Sequence, residues 1–145
     1  MEINIFFDGG SKNNQSQNRQ GYGSFITLHN GAPVTMTIDR GTKNERKTLQ
    51  CFLDFGQATN NEAEWKTFLT ALCYALELQE GTKKELTFIF HGDSQNVLGP
   101  FLDGNKVKAA NLKPLYEEAQ ALISALIQVK FVKETGVHMK EVLGH

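Results

Sequence analysis

The sequence predicts an α/β fold, a mixed β-sheet with helices packed on it, and three observations carry that reading. Segments of β-branched and aromatic residues fill the first third of the chain and are broken by turn signals. Two long stretches with apolar residues at helical spacing follow, over about 61–79 and 111–126. Short apolar runs separate those stretches, so strands come first and strand–helix alternation follows.

Each element has its own signal. Residues 2–8 read as a strand that Asp8-Gly9-Gly10 closes. Ser11 to Gln20 holds three Asn and three Gln without periodicity, which predicts a loop. Residues 22–29 form a second strand, His29-Asn30-Gly31-Ala32 supplies the Asn-Gly signal of a tight hairpin, and residues 34–39 return antiparallel. Residues 41–47 are polar and basic. Over 48–55, Leu49, Cys51, Leu53 and Phe55 alternate with Thr48, Gln50, Phe52 and Asp54, which predicts a further strand. How this region fills the third strand position stays open.

A helix is expected from about Asn61 to Gln79, stopped by Gly81 and opened by the capping box Thr59-Asn60-Asn61-Glu62. Residues 85–91 form a strand. Asp93-Ser94 then opens a short helix that Gly99-Pro100 kinks or ends. Leu112, Leu115, Ala119, Leu122 and Leu126 mark one face of a helix over 111–126. Residues 128–132 are the last strand, and a short helix runs from about Val137.

At 145 residues the chain has the size of one domain, read as 1–145, and a fold of that size buries roughly 68–70% of its unfolded surface. Hydrophobic content of 40% and charged content of 21% exclude a disordered chain. The net charge of −1 gives no global field for a polyanion, so phosphate contacts must come from local lysines. Lys106, Lys108 and Lys113 form one such group and Lys130, Lys133 and Lys140 another; solvated surface lysines are the plainer reading. Cys51 and Cys73 are too few for a disulfide scaffold and read as reduced, buried small hydrophobes. No leader-like or membrane-spanning run is present, and the start at Met1 suggests a free-standing, cytoplasmic monomer.

Four acids stand out by position: Asp8 at the expected end of the first strand, Glu64 in the first turn of the long helix, Asp93 at a strand-to-helix junction, and Glu141 in the C-terminal segment. Ends of neighbouring strands gather ligands in open sheets, which can bring Asp8 and Asp93 together. Glu64 shares a helix face with Phe68, Ala71, Leu72 and Ala75 and therefore turns toward the sheet. Clustered carboxylates repel one another unless cations neutralise them, and hard oxygen ligands suit Mg²⁺ or Mn²⁺. Ordinary alternatives exist: a turn aspartate at 8, a dipole-answering acid at 64, an N-cap at 93 and a surface glutamate at 141.

The motifs then resemble those of the ribonuclease H family. Phe6-Phe7-Asp8-Gly9-Gly10-Ser11 resembles its first motif, and Gly21-Tyr22-Gly23-Ser24-Phe25 is similar to the start of its second strand. Thr59-Asn60-Asn61-Glu62-Ala63-Glu64 matches the Thr-Asn-Asn-x-x-Glu signature and Gly92-Asp93-Ser94-Gln95-Asn96-Val97 the Asp-Ser-Gln motif. The run from Lys106 to Ala119 is similar to the compact branch without the extra basic helix. The resemblance implies a ribonuclease H-like fold, a five-stranded mixed sheet flanked by helices. It implies Asp8, Glu64 and Asp93 as metal-binding catalytic carboxylates, with Glu141 in the slot of the fourth acid. Three features depart from the pattern: glutamate at 141 where aspartate is usual, Val137 four residues before it, and the long polar loop Asn13–Asn18.

The implied activity is endonucleolytic hydrolysis of the RNA strand of an RNA–DNA hybrid, leaving 5′-phosphate and 3′-hydroxyl ends. In this reading two Mg²⁺ ions, bridged by Asp8, activate water and stabilise the departing 3′ oxygen, with Mn²⁺ as a possible substitute. Asn60, Asn61 and Gln95 carry amides that both donate and accept, suited to a minor groove lined by 2′-hydroxyls. By the same resemblance Gly10 and Ser11 meet 2′-hydroxyls, while Lys106 and Lys108 hold phosphates. Helix capping is the other explanation of the two asparagines. His138 and His145 are candidates for assisting product release, or bystanders. A catalytically weak or inactive hybrid-binding module and a DNA-cutting nuclease of the same fold are the rival readings.

Overall fold

The structure, a computed structural model, describes residues 1–12, 18–34, 36–38, 46–48 and 50–144. Its elements in chain order are β1 (Glu2–Lys12), β2 (Gln20–His29), β3 (Ala32–Pro33), β4 (Met36–Ile38), β5 (Arg46–Thr48), β6 (Gln50–Gly56), α1 (Asn60–Glu80), β7 (Thr87–Gly92), α2 (Gln95–Leu102), α3 (Lys113–Ala125), β8 (Gln128–Lys133) and α4 (Gly136–Leu143). The main sheet runs β6–β2–β1–β7–β8, with β2 antiparallel to both its neighbours and β1, β7 and β8 mutually parallel. This is the mixed, helix-flanked sheet the sequence predicts. The short β3 pairs with β2 beside β6 as a sixth strand.

Two expectations about strands are corrected. β1 does not end at Asp8 but continues to Lys12, paired with β2 through Asp8↔Ser24, Gly9↔Gly23 and Gly10↔Tyr22. Gly9 is there for space, not to break the strand. A Cβ on it would lie 2.6 Å from the Ala63 carbonyl oxygen, and one on Gly23 would lie 1.9 Å from Thr67 Oγ1. The pair of glycines lets α1 settle directly on the sheet. The expected return of residues 34–39 is also different: Met36–Ile38 pairs with Arg46–Thr48 in a separate two-stranded sheet, and the β2 edge is taken by β3 and β6. The expected loop at 13–17, residues 35, 39–45 and Leu49 of the third-strand region, and His145 lie outside the described residues. The Asn-Gly hairpin is present. Asn30 and Gly31 take φ of 51° and 75°, the left-handed pair that a two-residue turn between twisted strands requires.

α1 opens on the capping box. Thr59 Oγ1 accepts from the Glu62 N–H at 3.1 Å and Glu62 Oε1 accepts from the Thr59 N–H at 3.2 Å. The helix covers one face of the sheet. Its Trp65, Phe68 and Leu72 are fully buried with Ile5, Phe7, Phe88 and Phe90 from the strands, and Leu112, Ala119 and Leu126 join them from the α3 region. Phe68 sits at the centre, 5.0 Å from the Phe7 ring and 5.6 Å from that of Phe90. α4 covers the other face, where Met139 and Leu143 pack on Phe6 beside Ile26 and Leu28. Side-chain alternation therefore sends Phe7 and Phe6 to opposite layers and places Asp8 on the α4 side. No described helix is long and apolar enough to cross a membrane.

Candidate active site

Three elements deliver the three central acids to one place. β1 carries Asp8, β7 runs parallel beside it and hands over to Asp93, and α1, held close by Gly9 and Gly23, brings Glu64 to the same end. All three side chains are half-buried. Ser94, and not Asp93, caps α2 through the Val97 N–H at 3.3 Å, which leaves the Asp93 carboxylate free for the cluster. The same Ser94 hydroxyl donates to Glu64 Oε2 and ties α1 to the α2 junction. Glu64 opens the second turn of α1 rather than the first, because the helix starts at Asn60.

The electrostatics register their proximity. The Asp8 carboxyl is pushed up from 3.8 to about 7, first by burial, then by repulsion from Asp93 and Glu64; the Gly9 N–H opposes the rise, and a hydrogen bond with Asp93 adds to it. Burial also raises Glu64, the Ser94 hydrogen bond working against it and Asp93 with it. Among the described residues every ion pair involves His91 or His138, and none reaches these acids. The three carboxylates thus crowd negative charge together, and that repulsion, added to burial, disfavours the ionised form of Asp8. Among the described residues no three His, Cys, Asp or Glu side chains are arranged to hold a metal ion as they stand. The donor set itself, three clustered oxygen ligands without a counter-charge, suits a hard divalent cation.

Glu141 is not brought to the trio. It lies exposed on α4, 3.8 Å from His138 Nδ1, and is absent from the charges acting on Asp8 or Glu64. α4 does begin at the site: a Cβ on Gly136 would lie 3.5 Å from Asp93 Oδ2. His138 faces Glu134, and Glu134 Oε1 in turn pairs with His91 Nδ1 at 2.8 Å while the Glu134 N–H donates to the Gly92 carbonyl. Neither Glu134 nor His91 was marked by a sequence signal, since their meeting depends on the β7–β8 register.

The polar candidates fall into two groups. Asn60 Oδ1 accepts from the Ser11 N–H at 2.6 Å, which fixes the Gly10-Ser11 backbone to the start of α1. Asn60 is therefore not the cap; Thr59 is. Asn61, Gln95, Lys106 and Lys108 line one open cavity of about 350 Å³ with Asn96 and Asn105. Gln95 is held at both ends, its Nε2 donating to Asp103 Oδ2 at 2.8 Å and its Oε1 accepting from Lys133 Nζ at 2.6 Å. Asp103 and Lys133 carry no local signal that would have linked them to Gln95.

No protein-family model matches the sequence, and no relative was found among curated proteins. Solved structures do match. Ribonuclease H1 from the halophilic archaeon Halobacterium salinarum NRC-1 aligns with a TM-score of 0.72 at 16% identity, over 99% of this chain and 94% of that one. LC11-RNase H1 in complex with an RNA/DNA hybrid aligns with a TM-score of 0.76 at 16% identity, over 96% and 89%. The N-terminal RNase H domain of rv2228c from Mycobacterium tuberculosis gives 0.71 at 23% identity, over 97% and 86%. Agreement over nearly the whole length, with the same mixed sheet between helical layers, establishes that this chain has the ribonuclease H fold.

Proposed function

We propose that the protein is a metal-dependent endonuclease that hydrolyses the RNA strand of RNA–DNA hybrids, leaving 5′-phosphate and 3′-hydroxyl ends. The observation that carries this reading is the convergence of Asp8, Glu64 and Asp93 at one end of the sheet, where burial and then repulsion from Asp93 and Glu64 push Asp8 up to about 7. Two Mg²⁺ ions bound by these carboxylates, with Mn²⁺ as a substitute, would supply activation of water and neutralisation of charge on the phosphate and the departing oxygen. Asp8, Glu64 and Asp93 would hold the ions, and the Ser94 hydroxyl, donating to Glu64, fixes that carboxylate for the role. Glu141 is the fourth acid of the scheme and has to turn from His138 to join.

The chain's own polar groups account for substrate choice. Asn60 pins the Ser11 backbone, so that Gly10 and Ser11 present a fixed edge to 2′-hydroxyls. Asn61 and Gln95 meet the minor groove, and Lys106 and Lys108 contact phosphates along the same cavity. The hybrid bound by the LC11 neighbour supports this class of partner. A monomer in the cytoplasm completes the reading, in keeping with two free cysteines.

A second reading, a hybrid-binding module of weak or no activity, draws on the exposed Glu141. One assay separates the two. Purified protein is offered an RNA–DNA hybrid, double-stranded DNA and double-stranded RNA with Mg²⁺ or Mn²⁺. The nuclease reading expects cleavage of RNA in the hybrid alone, lost in Asp93→Asn. Binding without product favours the module, and unchanged cleavage by Asp93→Asn excludes the site.

A further inference from the structure

Gln95, the first residue of α2, is exposed, yet both ends of its amide are tied down. A carboxylate, Asp103, takes one proton of Nε2, and an ammonium, Lys133, donates to Oε1. Asp103 follows the last turn of the same helix, and Lys133 ends β8 opposite Gly92. Only one of the two amide orientations satisfies both anchors, because the flipped one would set NH₂ against the ammonium and oxygen against the carboxylate. Room for this arrangement comes from Gly99, one turn along. A Cβ there would lie 2.8 Å from Gln95 Nε2 and 2.4 Å from Asn105 Nδ2.

We propose that Asp103 and Lys133 are positioning residues for substrate recognition: they lock the Gln95 amide so that one N–H and one lone pair remain to read the minor groove. An amide has two protons and two lone pairs, and each anchor consumes one. The remaining donor and acceptor match what the groove offers, acceptors at pyrimidine O2 and purine N3 and 2′-hydroxyls that do both. A side chain already ordered loses less freedom on binding than one that must be found and fixed. This inference rests on the hybrid reading above.

Charge makes the test decisive, since Asp103 is a carboxylate beside a cavity that would hold a polyanion. On electrostatics alone its removal strengthens binding; the clamp requires the reverse. Binding of a fluorescein-labelled RNA–DNA hybrid, with double-stranded DNA alongside, is measured by anisotropy in Ca²⁺ for the wild type, Gln95→Ala, Asp103→Ala, Asp103→Asn, Gly99→Ala and the Gln95→Ala/Asp103→Ala double variant. The inference expects a loss of about 3- to 10-fold in hybrid affinity for Asp103→Ala, the scale of ordering one long side chain. It expects rescue by Asp103→Asn, which keeps an acceptor oxygen, and no further loss from Asp103→Ala once Gln95 is gone. Gly99→Ala should weaken binding likewise while the fold stays intact, because the nearest atoms its methyl would meet belong to the side chains of Asn105 and Gln95. Asp103→Ala binding as well as or better than the wild type, or losses that multiply in the double variant, overturns the clamp and leaves the hybrid reading standing. A wild type that shows no preference for hybrid over DNA overturns both.

Discussion

Replacing Asp8 by Asn should make the metal-free protein more stable at pH 8 while removing its proposed activity. The native pocket disfavours the ionised carboxyl, raising it from 3.8 to about 7. At about 1.4 kcal/mol per pH unit the rise corresponds to a ceiling of about 4 kcal/mol. Asp8 is only half-buried, so solvent screening brings the expected gain to about 1–2 kcal/mol. The sign follows from proton linkage. Below pH 3.8 the group is neutral in both folded and unfolded chains. Between 3.8 and about 7 the folded chain keeps a proton that the unfolded one releases, so stability attributable to Asp8 falls as pH rises, and above 7 the whole penalty is present. Asn carries no charge and its amide can still donate to Asp93. In EDTA at pH 8 the variant should melt about 3–8 °C above the wild type, and at pH 4 the two should coincide. Mg²⁺ should narrow the gap by stabilising the wild type alone. An Asp8→Asn protein melting at or below the wild type at pH 8, or a gap equal at both pH values, refutes the argument that repulsion and burial dominate this pocket.

Other outcomes follow from the same geometry. Gly23→Ala should destabilise by about 1–3 kcal/mol, read from chemical denaturation, because the new methyl would strike Thr67 and push α1 off the sheet. Thr59→Ala should cost about 1 kcal/mol by removing one half of the capping box, again by denaturation. Glu141→Gln separates a ligand from a bystander. The proposed role predicts weaker Mg²⁺ dependence of cleavage with unchanged melting temperature, whereas identical Mg²⁺ titrations assign Glu141 to the surface.

Much of this architecture was legible because local signals and tertiary demands agree. The capping box, the Asn-Gly hairpin and the apolar face of α3 each need only a few neighbouring residues to declare themselves. The four acids were marked by position, and three of them meet. Gly9-Gly10 reads locally as a turn that ends the strand at Asp8, whereas Gly9 answers the approach of Ala63 and Thr67 from over fifty residues away and Gly10 that of the Tyr22 ring on the paired strand. Sequence distance also hides one anchor of Gln95, since Lys133 reaches it only through the β7–β8 pairing. The placement of Glu141 depends on which face of α4 the apolar Met139 and Leu143 claim, and once those pack on Phe6 the carboxylate stays in solvent beside His138.

The central claim is that Asp8, Glu64 and Asp93 jointly hold divalent ions, and anomalous diffraction from crystals soaked in Mn²⁺ tests it without recourse to activity. The account expects Mn²⁺ density ligated by all three carboxylates in the wild type and none at that place in Asp93→Asn. Saturating Mn²⁺ that leaves the pocket between these side chains empty, or binds only elsewhere, contradicts it.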